Sequence, residues 1–314
     1  DYLNSQGFIK NHFSTFYQDA IRQSISVFGT FLTIGTTWSI HHMDSKKYKD
    51  KEIVIACPSY KRPVVETLQY IPFCKVYVSP EEYKTYLEFN PKHKENIVKC
   101  KKGIQGNLCR VRNYILDEEF NHGADIVLII DDDLRCIEHF EMSEDKSYAY
   151  EKVKLKSADI LDFIYRYSLL CEEWGFKFWG INCNSDTMSY RQYSPFSTTS
   201  YIGGPFQCFI KGNELRYDEM LPLKEDYDMT LQNMNKYRGA LRVNKYHYVC
   251  RQSEQKGGCA IYRNMEREKE QFEMLQKKWG SDIVRLDTSN KGRSKKNRKY
   301  IDYNPIIKIP IKGI

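Results

Sequence analysis

Three consecutive carboxylates, Asp131, Asp132 and Asp133, close an apolar run that begins at Asp125 and ends at Ile130. Charges of one sign held this closely repel one another. A divalent cation with oxygen ligands, Mg2+ or Mn2+, relieves that repulsion, and alternate residues such as Asp131 and Asp133 can be directed into one site. The run before the triplet is continuous and β-branched, the pattern of a strand covered on both faces of a parallel sheet. Ligand sites in open α/β sheets lie beyond the carboxyl ends of such strands. A solvated turn with capping aspartates is the plain alternative.

A second acidic group, Glu225-Asp226-Tyr227-Asp228, precedes a helical pattern through Met229, Leu231 and Met234. Acids in a first helical turn are ordinary caps and favour the helix dipole. Combined with the triplet they acquire a second use, because transfer of a group to a hydroxyl needs a general base. His247, in Lys245-Tyr246-His247-Tyr248, reads either as a metal ligand or as the half-buried imidazole of an edge strand. His41, His42, His93, His122 and His139 carry no ligand pattern.

The elements that must position these groups alternate between β and α patterns. Strands are predicted over Ile53 to Cys57, Val76 to Ser79, Asn96 to Cys100, Asp125 to Ile130, Lys177 to Asn182 and Leu241 to Cys250. A further strand over Tyr201 to Lys211 is interrupted by Gly203-Gly204-Pro205. Helices are predicted over Asn107 to Phe120, Ala158 to Trp174 and Tyr262 to Trp279. This alternation marks an α/β sheet. Upstream, Phe8, Phe13, Phe16, Tyr17 and Ile21 suggest an amphipathic helix in an N-terminal extension, residues 1–50. The core is expected over 51–260, and a C-terminal helix and basic tail over 261–314; Ile306, Ile307, Ile309 and Ile311 have no assigned place.

The chain has 314 residues, 41% hydrophobic and 28% charged, which excludes disordered and fibrous classes and suffices for a full enzyme core. Its net charge of +7 is concentrated, since six Lys and Arg lie between Lys291 and Lys299 with no acid among them. Such a run is either a solvated tail or an attachment point for a polyanion. Ten cysteines without a CxxC pair, together with the absence of Asn-x-Ser/Thr, point to a cytoplasmic protein without a disulfide framework. The longest uncharged stretch, Ser24 to Ile40, is too short and polar for a membrane span. The chain opens on Asp1, so an N-terminal address can be missing from view.

Four segments in order resemble GT-A glycosyltransferases. Ala56-Cys57-Pro58-Ser59-Tyr60-Lys61-Arg62-Pro63 resembles their nucleotide-side loop, and Gly106-Asn107-Leu108-Cys109-Arg110-Val111-Arg112-Asn113 the helix before their metal strand. Asp131-Asp132-Asp133 resembles their DxD motif and Glu225-Asp226 their late acidic pair. The resemblance covers residues 53 to about 250. It implies a Rossmann-like, mixed and mostly parallel sheet flanked by helices, with Mn2+ or Mg2+ as cofactor and a nucleotide-sugar, UDP-sugar first, as donor. By resemblance, Pro58, Ser59, Tyr60, Arg62, Arg112 and Asp132 belong to the donor site, and Asp131, Asp133 and His247 to the metal. Gly203 and Gly204 let backbone approach the sugar or acceptor. Asp226 is the first candidate for the base, followed by Glu225 and Asp228.

Ile129 to Leu134, Gly203-Gly204-Pro205 and Lys224 to Asp228 are most similar to the TET-associated glycosyltransferases, which include the base J glucosyltransferase and many phage enzymes. This resemblance implies DNA carrying hydroxymethylated pyrimidines as acceptor and, for a phage protein, the host cytoplasm as location. Lys99, Lys101, Lys102, Arg110 and the Lys291 to Lys299 run are candidate phosphate contacts. The Tyr190 to Tyr201 loop, with Tyr193 and Phe196, is a candidate for stacking on an extruded base. Three other readings stay open: transfer to protein or glycan hydroxyls, phosphoryl or nucleotidyl transfer by the same carboxylates, and a non-catalytic DNA-binding module.

Overall fold

A computed structural model of the chain describes residues 48–144, 150–251, 258, 263–287 and 303–309, all belonging to the compact unit Ser45–Ile314. The predicted N-terminal helix, His41, His42, the Lys291 to Lys299 run and Ile311 lie outside the described residues.

Ten strands form one mixed sheet. In chain order they are β1 (Ile53–Pro58), β2 (Lys75–Val78), β3 (Ile97–Lys99), β4 (Ile126–Ile130), β5 (Leu134–Met142), β6 (Tyr150–Lys154), β7 (Phe178–Asn182), β8 (Phe196–Ser197), β9 (Phe206–Ile210) and β10 (Leu241–Cys250). The spatial order is β3-β2-β1-β4-β9-β7-β10-β5-β6, with β8 paired to β10. Strands β3, β2, β1 and β4 are mutually parallel, the order of a Rossmann half. β9 runs antiparallel to both β4 and β7, β10 rejoins parallel to β7, and β5 and β6 close the far edge as an antiparallel hairpin. The fold is thus a mixed, mostly parallel, Rossmann-like α/β sheet flanked by helices.

The flanking helices are α1 (Thr67–Tyr70), α2 (Tyr83–Phe89), α3 (Leu108–Asn121), α4 (Ile160–Glu173), α5 (Glu225–Tyr237) and α6 (Met265–Trp279). The strand period of two divides the apolar residues of the central strands between two layers. Ile53, Ile55 and Cys57 of β1 and Ile126, Leu128 and Ile130 of β4 enter one core with Leu68, Tyr86, Ile160 and Phe163. Val54, Ala56, Val127 and Ile129 enter the other with Val111, Ile115 and Leu116 of α3 and Met229 and Met234 of α5. All five residues of β4 are buried, which explains why its sequence is an unbroken apolar run. A third cluster joins Leu221 and Leu231 to Phe272 and Leu275 of α6 and Val284. There β11 (Val284–Leu286) pairs with β12 (Pro305–Ile307), the place of Ile306 and Ile307.

The short elements α1, α2, β8 and β11 were not predicted, and two segments of the main sheet also depart from the sequence expectation. The β5–β6 hairpin was not expected, because its charged residues hide the alternation. The predicted strand from Tyr201 shortens to Phe206–Ile210, since residues through Pro205 leave the ladder as a loop. That loop is tightly seated: a Cβ on Gly180 of β7 would lie far inside contact with Cγ2 of Ile202 and 2.9 Å from the Phe206 carbonyl oxygen. Among the described residues no helix is long and apolar enough to cross a membrane.

Candidate active site

The acidic triplet follows β4 directly, and Thr67 at the start of α1 fixes its backbone. The Thr67 amide donates to the Asp132 carbonyl at 3.2 Å. Its hydroxyl donates to the Asp131 carbonyl at 2.7 Å and accepts from the Leu134 amide at 3.0 Å. Asp132 then turns inward, where Ser59 Oγ donates to it at 2.5 Å and Arg62 Nη1 at 2.7 Å. Asp133 lies farther from the same guanidinium, at 3.8 Å. Burial, followed by the charges of Asp131 and Asp132, pushes the Asp133 carboxyl up to about 6. Asp132 is also raised, because burial outweighs the stabilisation from Arg62 and Ser59.

The Pro58 to Arg62 loop is built around the buried Tyr86. Ser59 Oγ is 2.9 Å from Tyr86 Oη, and the Arg62 amide donates to that hydroxyl at 3.1 Å. Lys61 takes a left-handed φ of 55°, and its amide donates to Glu82 Oε1 at 3.0 Å. Burial works against charge on Arg62, but Asp132 and Asp133 raise its pKa overall.

Arg112 projects from α3, whose N-cap Asn107 accepts from the Arg110 amide at 3.2 Å. At 1% exposure it bridges four parts of the chain. Nη2 donates to Asp131 Oδ1 at 3.0 Å and to the Gly204 carbonyl at 3.1 Å. Nη1 donates to Glu225 Oε1 and Gln207 Oε1, each at 3.3 Å, while Nε is buried without a partner. Burial opposes its charge, yet Tyr217, Glu225 and Asp131 hold its pKa above the ordinary value. The resemblance implied that Arg112 contacts the nucleotide; the side chain lines the cavity, and both terminal nitrogens donate to protein groups, so Arg112 also orders the site from within.

Glu225 and Asp226 open α5 at the same cavity. Burial and then the Asp226 charge push Glu225 up to about 8. Asp226 Oδ2 accepts from the Tyr201 hydroxyl and from the Gly204 amide, the latter at 3.2 Å; Oδ1 accepts from the Tyr227 amide at 2.8 Å. Gly204 lies between the two sets of charges, and a Cβ there would sit 3.4 Å from Arg112 Nη2 and from Asp226 Oδ2. A Cβ on Gly203 would collide with the Tyr248 hydroxyl.

Two predicted site residues are corrected. Asp228, the third base candidate, is fully buried and paired with Trp279 Nε1 at 2.8 Å and Lys278 Nζ at 2.9 Å, a role that ties α5 to α6. His247, the third metal candidate, is turned away by strand alternation, since Tyr248 and Cys250 are the β10 residues that line the cavity. Its ring is fully buried, stacks on Phe140 with centroids 4.8 Å apart, and places Nε2 3.1 Å from Glu138 Oε2.

The resulting cavity, about 480 Å3, is lined by Pro58, Ser59, Tyr60, Arg62, Arg112, Asp131, Asp132, Asp133, Gly204, Glu225 and Asp226. Of the candidate Tyr190 to Tyr201 loop, Tyr201 reaches the wall, and sequence reasoning missed Tyr227, Tyr248 and Cys250 there. The only signal was their closeness to the glycine pair and the acidic groups. The surface candidates for phosphate contact are partly engaged within the chain: Lys101 pairs with Glu118 at 2.7 Å, Arg110 with Glu219 at 2.9 Å, and Lys99 lies over the Tyr83 ring. Tyr193 is 85% exposed, whereas Phe196 packs edge-on against Trp174.

Asp131 and Asp133 line the cavity, where Asp131 also accepts from Arg112, and Asp132 is paired with Arg62. Among the described residues there is no group of three or more His, Cys, Asp or Glu side chains that could hold a metal ion. Mg2+ in particular uses one or two carboxylates and completes its shell with water and substrate phosphates.

No family model matches the chain, and no curated protein matches it. Among solved structures it is similar to CMP:2-keto-3-deoxy-manno-octonic acid synthetase complexed with CTP, at 10% identity and a TM-score of 0.36, covering 72% of this chain and 99% of that one. It is similar to a cytidylyltransferase from Leptospira borgpetersenii, at 14% identity and a TM-score of 0.35, covering 72% and 93%. It is also similar to a protein from STIV, at 7% identity and a TM-score of 0.33, covering 65% and 88%.

Proposed function

We propose that this chain is a metal-dependent glycosyltransferase that moves a sugar from a nucleotide-sugar, UDP-sugar first, to a hydroxyl, and that the hydroxyl belongs to a hydroxymethylated pyrimidine in DNA. One observation carries the reading: carboxylates after β4 and carboxylates opening α5 face a single cavity, with the buried Arg112 bonded to both. The first set suits a leaving diphosphate, the second an attacking hydroxyl.

Asp131 and Asp133 would hold Mn2+ or Mg2+, which when bound neutralises charge on a diphosphate leaving group. The Pro58 to Arg62 loop, fixed by Tyr86 and Asp132, forms the wall against which a nucleoside is oriented. Asp226 accepts the proton of the acceptor hydroxyl as the acceptor oxygen bonds the anomeric carbon and the diphosphate leaves with the electron pair. The acceptor side of the cavity carries Tyr201, Tyr227 and Tyr248, rings able to face a planar base. The Lys291 to Lys299 run supplies charge for a polyanionic acceptor.

The test is mass spectrometry of nucleosides after incubation with Mn2+, a panel of nucleotide sugars, and DNA containing hydroxymethyluracil, hydroxymethylcytosine or neither. A sugar-sized gain on one modified base supports the full reading. Donor hydrolysis without gain on any DNA moves the acceptor to protein or glycan. Pyrophosphate release from a nucleoside triphosphate, without sugar transfer, replaces the reading with nucleotidyl transfer.

A further inference from the structure

Asp226 has more donors around it than a freely turning general base would keep. Its Oδ2 accepts twice, from the Tyr201 hydroxyl and from the Gly204 amide at 3.2 Å. Its Oδ1 accepts from the Tyr227 amide at 2.8 Å, within the first turn of α5. The Tyr201 ring lies flat on the Tyr227 ring, with centroids 4.2 Å apart and planes 17° from parallel. Its backbone is held as well: Arg242 Nη1 donates to the Tyr201 carbonyl at 3.3 Å, and the next amide, Ile202, donates to Thr230 Oγ1 at 3.3 Å.

We infer that Tyr201 is a positioning residue that locks the Asp226 carboxylate in one orientation, so that Oδ1 is the oxygen that takes the acceptor proton. The inference rests on the reading of Asp226 as the base and adds to it the group that aims it. Two donors fill the in-plane positions of Oδ2, whereas Oδ1 with a single donor keeps a lone pair. In the transfer step the acceptor O–H proton moves to Oδ1, and the hydroxyl proton of Tyr201 stays on Tyr201 throughout. A stack on one side and a hydrogen bond at the tip fix the hydroxyl without requiring it to ionise.

Removing the Tyr201 hydroxyl removes one of the two donors on Oδ2, so the carboxylate loses the contact that fixes its orientation. The groups facing Asp226 are Tyr201, Tyr227, Tyr248, Cys183, Glu225 and Arg112. Tyr201→Phe leaves all the others in place and keeps the stack.

The experiment compares the parent, Tyr201→Phe and Asp226→Asn as full chains, measuring Mn2+-dependent UDP binding by calorimetry and both kcat and KM for sugar transfer. The expected result for Tyr201→Phe is parental UDP binding, an acceptor KM within about twofold of the parent and kcat lower by roughly tenfold or more. A parental kcat, or a loss carried by KM or by UDP binding instead of kcat, overturns the inference and leaves Tyr201 a packing residue. Full transfer by Asp226→Asn sinks the assignment of the base itself, a failure separate from that of Tyr201.

Discussion

Arg112 Nη1 lies 3.3 Å from Glu225 Oε1, an ion pair between side chains that are 1% and 9% exposed and 113 residues apart in the chain. Arg112 Nη2 reaches Asp131 at 3.0 Å, so one guanidinium sets the spacing between the two acidic groups of the cavity.

Arg112→Met should therefore destabilise the fold by about 1–3 kcal/mol, because it removes the donor shared by the buried Glu225, Gln207 and Gly204 carbonyl acceptors. Combining it with Glu225→Gln should cost less than the sum of the two single changes. Denaturant midpoints of the four proteins check this. Arg112→Lys should remain folded but lose donor affinity, since an ammonium cannot keep the planar, two-sided bridge.

Acid should act in opposite directions on metal and on fold. Asp133 is raised in the folded state from 3.8 to about 6, so across that window the folded protein binds protons that the unfolded chain releases. Its contribution to stability without metal grows as pH falls through the window and is lost as pH rises. Mn2+ competes with that proton, so its affinity should fall as pH drops below about 6. Asp133→Asn should flatten both trends. Titration of Mn2+ by calorimetry and melting without metal, each across pH, read the two effects.

Asp132 should behave as a structural charge. Ser59→Ala removes its 2.5 Å donor and should cost about 1–3 kcal/mol by denaturant titration. Donor affinity should fall as well, because the Pro58 to Arg62 loop loses one of its links to Asp132 and keeps only that of Arg62.

The glycines separate space from function. Gly180→Ala and Gly203→Ala place a Cβ into Ile202 and the Tyr248 hydroxyl respectively, and both should lower the melting temperature. Gly204→Ala, whose Cβ meets its nearest atoms at 3.4 Å, should fold normally. Differential scanning calorimetry of the three variants decides it.

The sheet was legible where burial is two-sided: β1 and β4 announce themselves through apolar content, and Asn107 marks the start of α3. The β5–β6 hairpin was not, because Arg, Glu and Lys interrupt its apolar residues and it is cross-strand pairing, of β5 with β10 and of β6 with β5, that makes the strands. The acidic groups were legible as clusters of charge. Their division of labour was not, since Asp228 differs from Asp226 only in the helix face it occupies, which Lys278 and Trp279 reveal. Likewise His247 and Tyr248 are neighbours in sequence but lie on opposite faces of β10.

The partners of Arg112 lie 19, 92, 95 and 113 residues away along the chain. Contacts of such long span form only after the intervening loops have closed, so they are late events in folding. A ribosome-bound or truncated chain ending before Glu225 would already own Asp131, Asp133 and the Pro58 to Arg62 loop, yet Arg112 would lack its closing partner. The cavity's two acidic groups would then come together as an all-or-none property of the chain through α5.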